Sequence, residues 1–155
     1  MKKNGFTLIE LLIVVAIIGI VAAIAIPNLL VALQKGKQKA TIGDLKTIGT
    51  AIESYFTDWG IAPQSDEFLG PNSTPWFQPF YIKIVPKTDG WGHRFNYIFS
   101  SDIGEYSAYS NGRGYDAGAA LDASPGIYMC TSISDFSNDI CFSSGIFTVG
   151  PYLKR

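Results

Sequence analysis

Two hydrophobic patterns meet within the first sixty residues. From Leu11 to Ile26 no residue carries a charge or a polar side chain. Phe6, Leu8 and Ile9 extend this run on one side, and Leu29 to Leu33 on the other. Apolar residues at every angular position give an element greasy all round rather than amphipathic. About 20 such residues cross a bilayer as a helix, so Phe6 to Ile26 is long enough. From Ala40 the pattern changes. Ile42, Leu45, Ile48, Ile52, Tyr55 and Phe56 fall at three/four spacing, while Lys46, Thr50, Glu53 and Thr57 take other faces. That is a helix with one buried side. A continuous helix from Phe6 to Asp58 would be about 80 Å long at 1.5 Å per residue. Gly60 and Pro63 end it. Pro27 removes a backbone donor and, with Gly19, marks a stretch able to bend or unwind. A tolerated kink is the plainer reading, since Gly and Pro are frequent in membrane helices.

Beyond the helix the pattern shortens. Residues 57–80 are rich in Pro, Gly, Ser and Asn, with Trp76, Phe77 and Phe80 embedded, and predict a packed connecting loop. Tyr81–Val85, Arg94–Phe99 and Glu105–Ser110 are strand candidates. Asp89-Gly90-Trp91-Gly92 separates the first two, and Ser101-Asp102-Ile103-Gly104 the second pair. Links this short predict an antiparallel meander laid on Leu45, Ile48, Ile52 and Tyr55, hence an α+β fold. The rest of the chain is needed to cover the second half of the helix. The apolar first half then has to be sheltered by lipid or by copies of itself.

Composition narrows the function. The 155 residues are 47% hydrophobic and 16% charged, with mean hydropathy +0.18, which excludes a disordered chain. A net charge of −1 leaves no electrostatic footprint for nucleic acid. Two cysteines and one histidine leave little for a zinc site. His93 stands alone in a turn and is expected to be exposed. No Gly-x-Ser-x-Gly elbow or phosphate-cradling glycine loop is present, so no enzyme active site is expected. Charge is unevenly placed: residues 35–46 carry net +3 and residues 47–155 net −5. Complementary charge between a basic neck and an acidic head is a candidate register device between copies. A solvated surface explains the same charges more simply.

Glu10 is the only charge between Phe6 and Gln34. An intramembrane carboxylate costs about 2–3 kcal/mol or more on insertion scales. A secretory signal has a shorter apolar core than this one. A plain anchor accounts for the length but not for the acid. An acid without a basic partner in the chain points to a partner supplied from outside it.

Lys2-Lys3-Asn4-Gly5-Phe6-Thr7-Leu8-Ile9-Glu10, followed by the apolar run, resembles the start of type IV prepilins and type II secretion pseudopilins. The resemblance covers roughly the first thirty residues and continues through Pro27. It implies cleavage by a prepilin peptidase between Gly5 and Phe6, on the cytoplasmic side, and methylation of the new N-terminus at Phe6. It also implies that Glu10 pairs with the N-terminal amine of a neighbouring subunit during assembly. A buried carboxylate is tolerable when a cation meets it. Lys2 and Lys3 before the run and Lys35, Lys37 and Lys39 after it leave the charge rule for orientation ambiguous. The cleavage motif puts residues 34 onward outside the cytoplasm.

The C-terminal part carries a second resemblance, over about residues 81–116. Ile84-Val85-Pro86, Asp89-Gly90-Trp91-Gly92, Phe95, Tyr97, Tyr106-Ser107 and Tyr109-Ser110-Asn111-Gly112 with Asp116 resemble the head of the major pseudopilin of type II secretion. Gly90 stands where that family has proline, and Tyr115-Asp116-Ala117 departs from its final glycine. The resemblance implies one calcium ion, with Asp116 and Asp139 as ligands and Asp122 and Asp135 nearby. Turn-forming aspartates in surface loops are the alternative. Cys130 and Cys141 suit a disulfide in an exported protein, a feature type IV pilins share. Two buried thiols remain the other reading.

These readings imply a type IV pilin fold: a leader peptide at 1–5, a hydrophobic transmembrane and assembly half-helix at 6–33, and a globular head at 34–155. The expected function is a structural subunit of a type IV pilus or a type II secretion pseudopilus. The expected partners are copies of itself, prepilin peptidase, inner-membrane assembly machinery, minor pilins or pseudopilins, and membrane lipid before assembly. The chain is expected in the inner membrane first, then in a surface pilus or periplasmic pseudopilus. The rival reading is a membrane-tethered binding or adhesin module that does not polymerise.

Overall fold

The computed structural model of the chain describes residues 5–63, 77–99, 105–114, 136 and 139–149. One helix, α1 (Leu8–Trp59), is followed by β1 (Asn96–Phe99), β2 (Tyr106–Ser110), β3 (Ile140–Ser143) and β4 (Ile146–Val149). The chain divides into two compact units, Met1–Gln34 and Lys35–Arg155.

In the first unit, α1 starts on a reciprocal cap. Thr7 and Glu10 form the Thr-x-x-Glu capping box that satisfies orphan donors at a helix N-terminus. Pro27 lies inside the helix. On the next residue, the Asn28 side-chain amide donates to the Ile24 carbonyl at 3.1 Å. An 18-residue window of α1 has mean hydropathy 3.1 and is wholly unburied, long and apolar enough to cross a membrane.

In the second unit, α1 buries one face. Leu45, Ile48 and Ile52 are completely buried, with Gln38, Thr41, Gly49 and Ala51 beside them. Fully burying each such aliphatic side chain contributes about 1.5–3 kcal/mol. Ile42 and Tyr55 pack against the same core, whereas Phe56, expected on this face, is exposed. Off the core, Thr47, Thr50, Ser54 and Thr57 return their hydroxyls to carbonyls one turn back, so these weak helix formers cost no unpaired polar groups. The helix stops at Gly60, whose φ of 71° is the left-handed C-terminal geometry and whose amide donates to the Phe56 carbonyl at 2.8 Å.

The sheet is antiparallel in the order β1-β2-β3-β4. Its register pairs Tyr97 with Ala108 and Ala108 with Phe142. Phe95, Tyr97, Tyr106, Ala108, Ile140 and Phe142 meet the buried helix face in one core. The closest approach is at Gly49: a Cβ there would lie 2.1 Å from the Phe142 ring. Glycine is what lets that ring lie against the helix.

The expected meander is present in β1 and β2, each slightly shorter than predicted. Tyr81–Val85 is not a strand. The Tyr81 amide closes a turn on the Phe77 carbonyl at 3.1 Å, and Pro86 then removes a ladder donor. Ile82 and Val85 are buried as loop residues. The only pairing of this stretch among the described residues is the isolated bridge Thr88–Arg94. The β3–β4 hairpin was not predicted. Its two-residue turn, Ser144-Gly145, has φ of 46° and 86°, the paired positive values that tight hairpins need.

Candidate functional site

The N-terminal segment is built around an acid. Residues 5–7 precede the helix, so the Gly5–Phe6 bond lies in irregular backbone. Phe6 is 87% exposed, and large apolar residues from Leu8 to Leu33 are exposed all round the helix. The Glu10 carboxylate accepts from the Thr7 amide at 2.8 Å and from the Thr7 hydroxyl at 2.7 Å. In the single chain this acid is thus hydrogen-bonded locally. No described basic side chain forms an ion pair with it. The capping box was legible as Thr7-Leu8-Ile9-Glu10, but the expectation for Glu10 rested on an amine alone. Pro27 lies seventeen residues further along α1, about 26 Å at helical rise, so the two named residues are not brought together.

The second unit holds its Asp89-to-His93 turn by a buried carboxylate. Asp89 Oδ1 accepts from the Trp91 amide at 2.9 Å and the His93 amide at 2.8 Å, and Oδ2 accepts from the Ser110 hydroxyl at 2.6 Å. His93, expected to be exposed, is half-buried. Its Nδ1 lies 2.9 Å from the Gly112 carbonyl and 3.9 Å from Asp89 Oδ2. The same turn docks on the helix. The Gly90 amide donates to Thr41 Oγ1 at 2.9 Å, and Thr41 Oγ1 donates to the Lys37 carbonyl at 3.0 Å. A Cβ on Gly90 would stand 2.4 Å from the Lys37 carbonyl oxygen. A proline at this position would lack the donated proton and overlap that carbonyl. The departure from the family's Asp-Pro-Trp-Gly is thus matched by a backbone–helix contact.

Two tyrosines tie the sheet to the rest of the unit. Tyr97 donates to the Pro63 carbonyl at 2.6 Å, and Tyr106 donates to the Glu53 carboxylate. Burial raises both phenol pKa values well above the ordinary range, and for Tyr106 the Glu53 hydrogen bond adds to it.

Asp139 sits just before β3 and is only 8% exposed. Burial raises its carboxyl pKa. No hydrogen bond from its side chain occurs among the described residues. Its expected co-ligand Asp116 lies outside the described residues, as do Asp122 and Asp135. Among the described residues no group of three or more His, Cys, Asp or Glu side chains is gathered for a metal. Cys141 is buried in β3, and Cys130 lies outside the described residues.

An unsheltered apolar half-helix with an acid in its first turn, joined in sequence to a helix-backed antiparallel sheet, is the architecture of type IV filament subunits. Residues 1–26 match the prokaryotic N-terminal methylation motif, and residues 28–124 match type II secretion system (T2SS) protein G. The chain belongs to that protein G family. Type II secretion system core protein G of Vibrio cholerae is 31% identical over 144 residues, which is 87% of this chain and 96% of the relative. Its counterpart in Pseudomonas aeruginosa is 31% identical over 135 residues, 81% of this chain and 94% of the relative. Type IV major pilin protein PilA of Myxococcus xanthus is 53% identical over 57 residues, 37% of this chain and 26% of PilA. No solved structure gives a significant match. The chain is a structural filament subunit made as a prepilin.

Proposed function

We propose that the chain polymerises into a periplasmic type II secretion pseudopilus, not a surface pilus. The protein G relatives match over nearly their whole length, whereas the match to PilA covers about a quarter of that protein. Prepilin peptidase cuts between Gly5 and Phe6, and Phe6 is then methylated. The apolar half-helix stays with the mature chain. It rests in the inner membrane, with residues 34 onward outside the cytoplasm, until assembly machinery and minor pseudopilins draw it into the filament.

The single observation that carries polymerisation is the wholly unburied apolar window of α1. Hydrophobic burial at about 25 cal/mol per Å² makes lipid or sister helices its only stable settings. Glu10 fits both. Before assembly its carboxylate is held by Thr7. In the filament it meets the Phe6 amine of a neighbour, a charge-assisted contact that offsets burial of the acid. A tethered module that does not polymerise predicts that Glu10→Ala changes nothing.

Asp139 fits a cation: it is buried, acidic and without a donor among the described residues. With Asp116 it would hold one calcium ion, whose charge would allow this carboxylate to stay ionised where burial opposes it. Cys130 and Cys141 would close a disulfide in the same region, worth about 3 kcal/mol in the chain-entropy model.

Mass analysis of the N-terminus tests the processing: methyl-Phe6 is expected, and an intact Met1 contradicts it. A deletion strain separates the two filaments. Lost export of folded enzymes with surface pili intact is expected, and lost pili with export intact contradicts the proposal. Chelation tests the metal. Calcium should raise the thermal midpoint of the wild-type chain over the chelated sample and leave Asp139→Asn unmoved. An equal midpoint in both conditions contradicts it.

A further inference from the structure

Near the C-terminal end of α1 an open cleft of ≈ 580 Å³ is lined by Tyr55, Asp58, Trp59, Phe80 and Tyr81. Its walls are aromatic. The Tyr55 and Trp59 rings stack at 6.0 Å, and Tyr81 meets Tyr55 edge-on at 5.4 Å. One carboxylate belongs to it. The Trp59 indole N–H donates to the Tyr81 hydroxyl at 2.9 Å, and that hydroxyl donates to Asp58 Oδ2 at 3.0 Å. This relay fixes the rings and the acid while leaving Asp58 accepting lone pairs to spare. Phe80 is 81% exposed, so the cleft stands open instead of being closed as a small-molecule pocket is. Aromatic faces beside a carboxylate suit an organic cation, whose stem lies on the rings and whose head reaches the acid.

The same chain carries such cations. Lys35, Lys39 and Lys46 are exposed and follow one another at i, i+4 and i+11, one stripe of the helix. None forms an ion pair among the described residues. They cannot reach their own cleft along a rigid helix, because Asp58 lies twelve residues beyond Lys46, about 18 Å, and farther still from Lys35, about 35 Å. A second copy shifted along the helix axis by a distance in that range brings its stripe to the cleft.

We infer that the Tyr55–Asp58–Trp59–Phe80–Tyr81 cleft is an inter-subunit socket that receives a lysine of the Lys35/Lys39/Lys46 stripe of another copy. This rests on the filament reading and adds to it a contact between the second units, where charge and aromatic faces set the axial register.

Site-specific photo-crosslinking in cells making the full chain and its assembly machinery tests it. A benzophenone amino acid replaces Phe80 in one strain and Ile18 in another. The expected product at position 80 is a dimer whose joined peptide maps to residues 35–46 of a second copy. Its yield should fall about fivefold or more with Asp58→Asn, and likewise with Lys35, Lys39 and Lys46 all changed to Gln. Self-crosslinks from position 18 report the filament itself. If position 18 crosslinks while position 80 gives none, joins a different surface or joins another protein, the socket is wrong and the filament stands. If neither position joins a second copy, the filament reading fails and the socket with it.

Discussion

Asp89 shows how one residue organises a region. Buried and fully hydrogen-bonded, it ties the Trp91 and His93 amides to Ser110 on β2. Gly90 then sets the same turn against Lys37 and Thr41 of α1. Gly90→Pro should destabilise the folded chain by about 1–3 kcal/mol, through the lost amide donor and the overlap with the Lys37 carbonyl, read from urea unfolding in detergent. Gly49→Ala should cost a similar amount, about 1–3 kcal/mol, because the Phe142 ring occupies the space of the new methyl. The tyrosines give a pH dependence. Tyr97 and Tyr106 have folded pKa values above the ordinary 10.0. The unfolded chain therefore releases these protons first as pH passes 10. Stability fully present below pH 10 is lost above it, and Tyr97→Phe and Tyr106→Phe should each flatten that loss. Unfolding followed at pH 9 and pH 11 checks it; equal slopes in wild type and both variants would contradict it.

At the scale of elements, the helix was the most legible part. Three/four spacing from Ile42 to Tyr55 identified its buried face, and Gly60 its end. Thr7 and Glu10 stand at capping-box spacing, so the start was readable too. Thr7→Ala should remove the cap and cost about 1 kcal/mol of helix stability while leaving the acid for assembly. Glu10→Gln should accumulate in the membrane but fail to enter filaments, since it keeps hydrogen-bonding capacity and loses the charge. Quantifying subunit chemically crosslinked into oligomers against membrane-bound monomer separates the two variants. The sheet was half legible. Arg94–Phe99 and Glu105–Ser110 alternate and are flanked in the sequence by turn-forming residue types, and both contain strands. Tyr81–Val85 has the same composition but packs as a loop, because short apolar runs do not distinguish a strand from buried irregular chain. Ile140–Val149, where the strand candidates do not reach, carries the β3–β4 hairpin. Its signal was Ser144-Gly145 between two apolar runs, the pattern of a tight hairpin. The aromatic cleft was not legible at all: Tyr55, Asp58 and Trp59 come from the helix, and Phe80 and Tyr81 from a loop more than twenty residues on.

For the whole molecule, one composition contrast governs behaviour. The second unit has its own core, built from helix face and sheet. The apolar window of the first unit has no buried residue. With that window unburied among the described residues, membrane residence and self-assembly are two answers to one physical demand. Sedimentation of the purified mature chain as detergent is withdrawn tests this most directly. Partition into added lipid vesicles, or growth into large assemblies when lipid is absent, is the predicted result. A folded monomer that stays in solution without detergent, lipid or self-association would contradict it.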